Sequence, residues 1–301
     1  NLPNAKYIDG PSAFISIQEG CDKFCTFCVV PYTRGAEYSR SFSEIINEID
    51  NLTQKGVKEI ILLGQNVNAW HARDPVDHEI SIGNLINEIA KNDKLLRIRY
   101  TTSHPLDMDE KLLEAHRDIP KLMPYLHLPI QSGSNKILRL MNRKHSCLDY
   151  IKIIDKIRKY CPGIAISGDF IVGFPGETDK DFDQTMQLVD NIEFSIAYSF
   201  IFSKRPGTPA ANLKDIDLSI KKARLSALQS LLKKQQKNYN KSFVGKKMSV
   251  LFEKKGRYEN QFIGRSSYNQ SVFVSSQKNI IGNLLNLKIV NSTDFALEGK
   301  L

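Results

Sequence analysis

The run Glu19-Gly20-Cys21-Asp22-Lys23-Phe24-Cys25-Thr26-Phe27-Cys28 places three of the chain's five cysteines at C-x₃-C-x₂-C spacing. A structural zinc site takes four ligands. Here the next histidine is His71 and the next cysteine is Cys147, both far along the chain. Three thiolates on a short loop suit a cubane iron–sulfur cluster with one iron left open. The competing reading is three small residues on one face of a helix. Gly20 and Pro31 bracket the run and favour a loop.

The 301 residues predict about two domains, and a hydrophobic fraction of 41% is enough for a full core. No apolar run approaches the roughly 18 residues of a membrane span. The N-terminus, Asn1-Leu2-Pro3-Asn4, lacks a basic-then-apolar leader. It also lacks a starting Met, so a fragment of a longer protein is expected. An odd cysteine count does not read as a disulfide framework. Thiolate ligation of a cluster calls for a reducing compartment, and a cytoplasmic location is expected. The net charge of +9 points to a polyanionic partner. A monomer is the default expectation, since nothing in the sequence reports assembly.

Strand and helix signals alternate. Residues 1–11 read as a linker. Ala13–Ile17, Val57–Leu63, Arg97–Thr101, Tyr125–Leu128, Ile164–Val172 and Ile196–Phe202 read as strands. Between them lie helical patterns at Phe42–Lys55 (with Ser43 as N-cap), Ile82–Lys91, Glu110–His116, Ser134–Met141, Leu148–Tyr160 and Lys180–Val189. Such alternation implies a parallel sheet with right-handed crossovers. Six units are too few for an eightfold barrel, so an open, partial (β/α)6 barrel over residues 12–240 is expected, closed by a long helix from Leu218 to Tyr239. From residue 241 the pattern changes to short alternating runs separated by Gly, Asn and Ser, which predicts a small all-β barrel over 241–301. That segment carries ten Lys and Arg against four Asp and Glu.

The cysteine run and its continuation Val29-Val30-Pro31-Tyr32-Thr33-Arg34-Gly35 resemble the motif of the radical S-adenosylmethionine (SAM) methylthiotransferases. The resemblance extends from about Ser12 to the C-terminus. It includes Gly64-Gln65-Asn66-Val67-Asn68, Thr102-Ser103-His104-Pro105, the run from His127 to Ser134, and Gly173-Phe174-Pro175-Gly176-Glu177-Thr178. It implies an α/β fold, a radical SAM barrel followed by an OB-like TRAM barrel that binds RNA. It also implies that Cys21, Cys25 and Cys28 hold a [4Fe–4S] cluster whose open iron takes SAM.

Chemistry in βα barrels gathers at the C-terminal ends of the strands, and the polar landmarks fall there. Gln65 resembles the residue that meets the SAM amino group. Gln131 is a candidate contact for SAM or substrate. Arg143 resembles a partner for the methionyl carboxylate, which a guanidinium can bind in bidentate fashion. Asp169 is the candidate acceptor for ribose hydroxyls, as acids are in dinucleotide folds. Phe27, with Phe24, would keep the cluster loop apolar. Glu177 and Thr178 are read as supports of their turn. His104 reads as a structural hydrogen-bonder, and Cys147 and Cys161 as structural thiols. Lys254, Lys255, Arg257 and Arg265, with Tyr258, Phe262 and Tyr268 nearby, are the candidate RNA contacts.

The family resemblance implies methylthiolation at C2 of an N6-isopentenyladenosine beside the tRNA anticodon, with the anticodon stem-loop and a one-electron reductant as partners. Sister enzymes act on threonylcarbamoyladenosine or on a ribosomal-protein aspartate. The sulfur comes by way of a second [4Fe–4S] cluster on an N-terminal domain that this sequence does not contain. The expectation is therefore that this chain cleaves SAM but does not complete methylthiolation alone. A non-catalytic RNA-binding module with a structural metal is the rival of a different class.

Overall fold

The computed structural model describes residues 8–74 and 76–301. Six strands run parallel and in chain order. They are β1 (Ser12–Ser16), β2 (Glu59–Leu63), β3 (Arg97–Tyr100), β4 (Tyr125–His127), β5 (Ala165–Val172) and β6 (Ile196–Ile201). The crossover helices are α1 (Phe42–Gln54), α2 (Ile82–Ile89), α3 (Glu110–Asp118), α5 (Cys147–Tyr160) and α6 (Asp179–Ile192), with the short α4 (Asn135–Leu140) before α5. A 24-residue helix, α7 (Leu218–Lys241), closes this part of the chain.

The strands form two parallel groups, β1-β2-β3 and β4-β5-β6. Between β3 and β4 the contact narrows to the bridge Ile98–Leu122. Among the described residues β6 does not pair with β1, so the expected open barrel is observed. Ile8–Asp9, in the segment expected to be a linker, pairs antiparallel with Ser12 and Ala13. The rest of that expected linker, residues 1–7, lies outside the described residues.

Strand alternation decides which side chains meet the helices. Ala13, Ile15, Ile60, Leu62, Ile98, Leu126, Ile166 and Phe170 are buried in one core with Ile45, Ile49, Leu85 and Ile157 from the helices. The opposite parity is mostly polar or aromatic, with Ser12, Phe14, Glu59, Arg99, His127, Asp169 and Tyr198 beside Ile61 and Ile196 around the lumen. Capping follows simple chemistry. The N-cap of α1 is Ser41, whose Oγ accepts from Glu44 N at 3.4 Å, and not Ser43. Arg40 is fastened one residue earlier by Glu48 at 2.7 Å, so the chain turns into the helix there. Ser134 and Thr178 cap α4 and α6 as expected.

Residues Lys247–Lys255 (β7), Gln261–Ser266 (β8), Ser271–Ser275 (β9), Leu284–Ser292 (β10) and Ala296–Lys300 (β11) form a closed five-stranded barrel in the order β7-β8-β9-β11-β10. Its own core comprises Met248, Val250, Phe252, Phe262, Val272, Val274, Leu287, Ile289 and Leu297. This barrel docks under the N-terminal ends of β1–β3. Arg97 donates to the carbonyls of Arg265 (2.6 Å) and Ser249 (2.9 Å). Arg99 donates to those of Ser266 (2.6 Å) and Ser267 (3.1 Å) and pairs with Glu59 at 3.1 Å. All three charged groups are buried. The sequence pattern places both arginines in a strand and gives them no role; here they are the bolts between two domains.

Arg99→Ala should therefore strip buried Glu59 of its cation and leave two carbonyls without donors. A loss of about 3–5 kcal/mol is expected, as for other broken buried pairs. Urea unfolding of Arg99→Ala, of Glu59→Gln and of the double variant checks this. The double variant should lose less than the sum of the singles, and limited proteolysis should cut the junction after α7 faster in Arg99→Ala.

Candidate active site

β1 leads into the cysteine loop through Gln18 and Gly20. Gln18 is buried and uses both ends of its carboxamide. Its Nε2 donates to Gly20 O at 2.7 Å, and its Oε1 accepts from Asn66 N at 2.9 Å. Gln65 Oε1 accepts from Gly20 N at 2.8 Å. Carboxamides beyond the ends of two adjacent strands thus grip the residue before Cys21. Gly20 has φ +75°, and a Cβ there would sit 2.1 Å from the Ala36 carbonyl oxygen, so only glycine fits.

The other side of the loop is pinned by the end of α4 and by the turn at residues 209–212. Thr26 N donates to Met141 O at 3.0 Å, Asn142 Nδ2 to Phe24 O at 2.8 Å, and Ala210 N to Thr26 O at 2.9 Å. Phe24 is exposed and adopts φ +48°. Phe27 packs half-buried against the cluster of Ile137, Met141, Phe174, Phe202 and Ala210. The loop is therefore apolar on the flank of Phe27, while Phe24 faces solvent.

All three thiols are free; Cys25 is buried, and Cys21 and Cys28 are partly so. Burial pushes the Cys21 and Cys28 thiols up from their ordinary range. Backbone N–H groups oppose this, and the charge of Arg143 opposes it further at Cys28. Ligation would release these protons. Among the described residues no three His, Cys, Asp or Glu side chains converge on a single ion. A cubane takes each thiolate on a separate iron, so a loop for it need not gather its sulfurs at one point.

Arg143 follows Asn142, which adopts φ +59° where α4 ends, and the side chain turns inward beneath the loop. It is 7% exposed. Its Nη1 lies 3.8 Å from Cys25 Sγ, Nη2 donates to Pro129 O, and Nε has no partner. Nearby, Lys23 pairs with Asp107 at 2.7 Å, and Asp107 also accepts from Asn66 Nδ2 at 2.8 Å. His104 is held by reciprocal backbone bonds with Asn68 at 2.8 Å and accepts from Leu106 N through Nδ1 at 3.2 Å. It stacks edge-on against His145, ring centroids 5.6 Å apart. Burial, then the Arg143 charge, holds both rings below the usual histidine range, His145 at about 4. Both are neutral at physiological pH, and His104 acts as a scaffold.

The remaining candidates sit on the second group of strands. Gln131 adopts φ +79° and extends β4 by exchanging backbone bonds with Asp169 and Ile171, both at 2.9 Å; its side chain makes no hydrogen bond among the described residues. Asp169 points into the lumen and meets His127 Nε2 at 3.3 Å, while His127 Nδ1 meets Ser167 Oγ at 2.9 Å. Glu177 accepts from Gly173 N at 2.9 Å and pairs with Arg224 of α7 at 2.7 Å, supporting its turn as expected. Phe202 packs against Phe174, whereas Phe200 stays exposed.

A cavity of about 560 Å³ joins the lumen to the C-terminal barrel. Phe14, His127, Asp169 and Phe200 line it from above, and Lys254 and Arg265 from below. Arg265 leans on Glu253 at 3.9 Å. Lys255 and Arg257 are exposed away from this lining. The structure thus brings the cysteines, Gln65, Arg143 and Phe27 to one mouth, and Asp169, Lys254 and Arg265 to one lumen. Sequence reasoning missed Gln18, Asn66, Arg97 and Arg99. Gln18 stands two residues before the glycine of the loop, and that spacing is its only signal.

The chain belongs to the radical SAM superfamily, whose family model matches residues 15–189. A TRAM domain model matches residues 241–301, the whole of the closed barrel. Among solved structures, the chain is similar to the radical SAM methyltransferase TsrM from Kitasatospora setae, with TM-score 0.54 and 16% identity over 67% of this chain and 39% of that one. It is similar also to coproporphyrinogen III oxidase (HemN) from Escherichia coli, with TM-score 0.52 and 17% identity over 77% of this chain and 54% of that one. SuiB from Streptococcus suis gives TM-score 0.51 and 14% identity over 75% of this chain and 48% of that one. At these identities the likeness is one of fold. The chain spans between about two fifths and just over half of the length of these proteins.

The residues present fit the group that the superfamily carries. Three unbridged thiols sit on a rigid loop with an apolar flank, next to a buried cation that has no carboxylate partner among the described residues. This is the donor set and charge environment of an anionic, thiolate-ligated cluster, and Cys21, Cys25 and Cys28 would hold it. Gly20→Ala should prevent the loop from closing at Ala36. Iron and sulfide bound after anaerobic reconstitution should fall severely, while far-UV circular dichroism stays that of the wild type.

Proposed function

We propose that this chain is the radical SAM and RNA-binding part of a tRNA methylthiotransferase acting at C2 of N6-isopentenyladenosine beside the anticodon, in the cytoplasm. The observation that carries the reading is the shared lumen. The barrel whose mouth bears the cysteine loop has a TRAM barrel as its floor, and both line one cavity. Motif resemblance along the chain supports the choice of reaction and of the isopentenyl substrate over the threonylcarbamoyl and ribosomal-protein ones.

When bound, the [4Fe–4S] cluster and SAM supply one-electron cleavage of the sulfonium and hydrogen abstraction from an unactivated carbon. The chain's residues bind, orient and exclude water. Gln18 and Gln65 fix the cysteine loop against the strand ends. In this reading Gln65 retains its free Nε2 for SAM, and Gln131, whose carboxamide is also free, contacts SAM or the substrate. Asp169, aligned by His127, accepts from ribose hydroxyls. Phe27, Phe174 and Phe202 keep water from the loop. Lys254, Lys255, Arg257 and Arg265 contact phosphates, and the exposed aromatics Phe14, Tyr198 and Phe200 offer surfaces on which an unstacked base can rest. In the family resembled, a second cluster on an N-terminal domain delivers the sulfur; beyond the cluster loop this sequence offers only Cys147 and Cys161.

Reconstituted protein given a reductant and SAM should release 5′-deoxyadenosine, and Cys25→Ala should abolish it. No methylthiolated tRNA should form without the further domain, which mass spectrometry of digested tRNA checks. Replacing Lys254, Lys255 and Arg257 together by Ala should weaken binding of an anticodon stem-loop. The slope of log affinity against log salt should become shallower by about two to three, since each lost phosphate contact removes roughly 0.7–0.9. Equal binding of unmodified and isopentenylated stem-loops would count against the substrate assignment, and turnover of the threonylcarbamoyl form or of the ribosomal protein by enzyme carrying its N-terminal domain would replace it.

A further inference from the structure

Arg143 is the one cation at the mouth whose position the sequence does not explain. A residue meant for the methionyl carboxylate should offer its guanidinium fork to the cavity. Arg143 instead lies beneath the loop, with Nη1 3.8 Å from Cys25 Sγ and Nη2 on the Pro129 carbonyl. Its backbone N–H is tied to Leu138 O at 2.8 Å, and an outward swing of the side chain would break both guanidinium contacts. Lys23, the other cation of the loop, is already paired with Asp107.

A buried guanidinium without a counter-charge is strongly unfavourable. Among the described residues no carboxylate pairs with Arg143, and its Nε has no partner at all. The rings of His104 and His145, whose pKa values its charge depresses, are neutral. The Tyr150 hydroxyl beside it donates to Leu128 O at 2.9 Å. Cys25 Sγ, 3.8 Å from Nη1, is the contacting group that can supply the missing negative charge. Three thiolates outweigh the charge of a [4Fe–4S] core in either oxidation state, and the added electron makes the assembly more negative still. A fixed cation with an N–H directed at one ligating sulfur favours the reduced form.

We propose that Arg143 is the built-in counter-charge of the cysteine-bound cluster, a positioning residue that raises its reduction potential rather than a ligand for the SAM carboxylate. The inference rests on membership of the radical SAM superfamily and is independent of the RNA substrate.

The test compares wild type, Arg143→Met and Arg143→Lys, each as the full chain reconstituted with iron and sulfide. Potentials are read by redox titration monitored by electron paramagnetic resonance, and SAM affinity by equilibrium binding to the oxidised protein. Arg143→Met should shift the potential to more negative values, and Arg143→Lys should stay close to wild type. SAM affinity should be the same in all three. An unchanged potential in Arg143→Met would overturn the proposal, and weaker SAM binding with that unchanged potential would assign Arg143 to the carboxylate instead. Iron-free protein provides a reading that needs no loaded cluster. There Arg143→Met should melt at or above the wild-type temperature, because it removes an uncompensated buried charge. A lower melting temperature in the iron-free variant would overturn the proposal equally.

Discussion

The carboxamide of Gln18 bears the weight of the site. It joins the carbonyl of Gly20 to the amide of Asn66, and so makes the cysteine loop depend on the register of β1 against β2. Ser16 pairs with Leu63 in that register. A slip of one residue would turn Gln18 to the other face, and the loop would lose the grip that sets Cys21. Local contacts add to this: Cys21 N donates to Gly35 O at 3.4 Å and Glu37 N to Asp22 Oδ1 at 3.1 Å. The loop's geometry is otherwise imposed by groups from β2, from the end of α4 and from the turn before α7. The site is thus a product of tertiary closure, and the local sequence alone does not build it.

This division explains what could be read in advance. The three thiols, the alternation of strands and helices, and the change of character at residue 241 are carried by composition and period, which survive without knowledge of contacts. Element ends were legible to within a few residues because Gly, Pro and capping hydroxyls mark them locally. Ser43 in place of Ser41 is the error such reasoning makes when two hydroxyls stand two residues apart and the decisive partner, Arg40 with Glu48, is a long-range one. Arg97 and Arg99 were illegible for a deeper reason. An alternating Arg-Ile-Arg-Tyr strand has the pattern of a surface sheet. Only the C-terminal barrel, more than a hundred residues later, converts that surface into an interface. Arg143 stood out in the sequence as a candidate cation, but its direction depends on the left-handed turn at Asn142, which no periodicity reveals.

Electrostatics in the lumen are arranged in closed sets. Glu59 is answered by Arg99, Glu253 by Arg265, and Asp169 by His127. Burial raises the Glu253 carboxyl, and the charge of Glu59 adds to that rise. The lumen is therefore polar without being strongly charged, and its open aromatic faces are available to a neutral ring. The Lys254 side chain makes no hydrogen bond or ion pair among the described residues, which leaves a cation open at the rim of the floor. The mouth differs. There the thiols and Arg143 face each other across buried ground, and their charges matter at short range.

The buried bolts between the domains have a geometrical consequence. Because Arg97 and Arg99 fasten the small barrel to the strand bases, the floor and the mouth are held a fixed distance apart. That distance is the height of a five-residue strand such as β1, about 16 Å at the usual rise per residue. If RNA phosphates rest on the floor while a base reaches the mouth, the chain works as a caliper. On the proposed reading, a base nearer to or farther from its anchored backbone would stop short of the cysteines or overrun them.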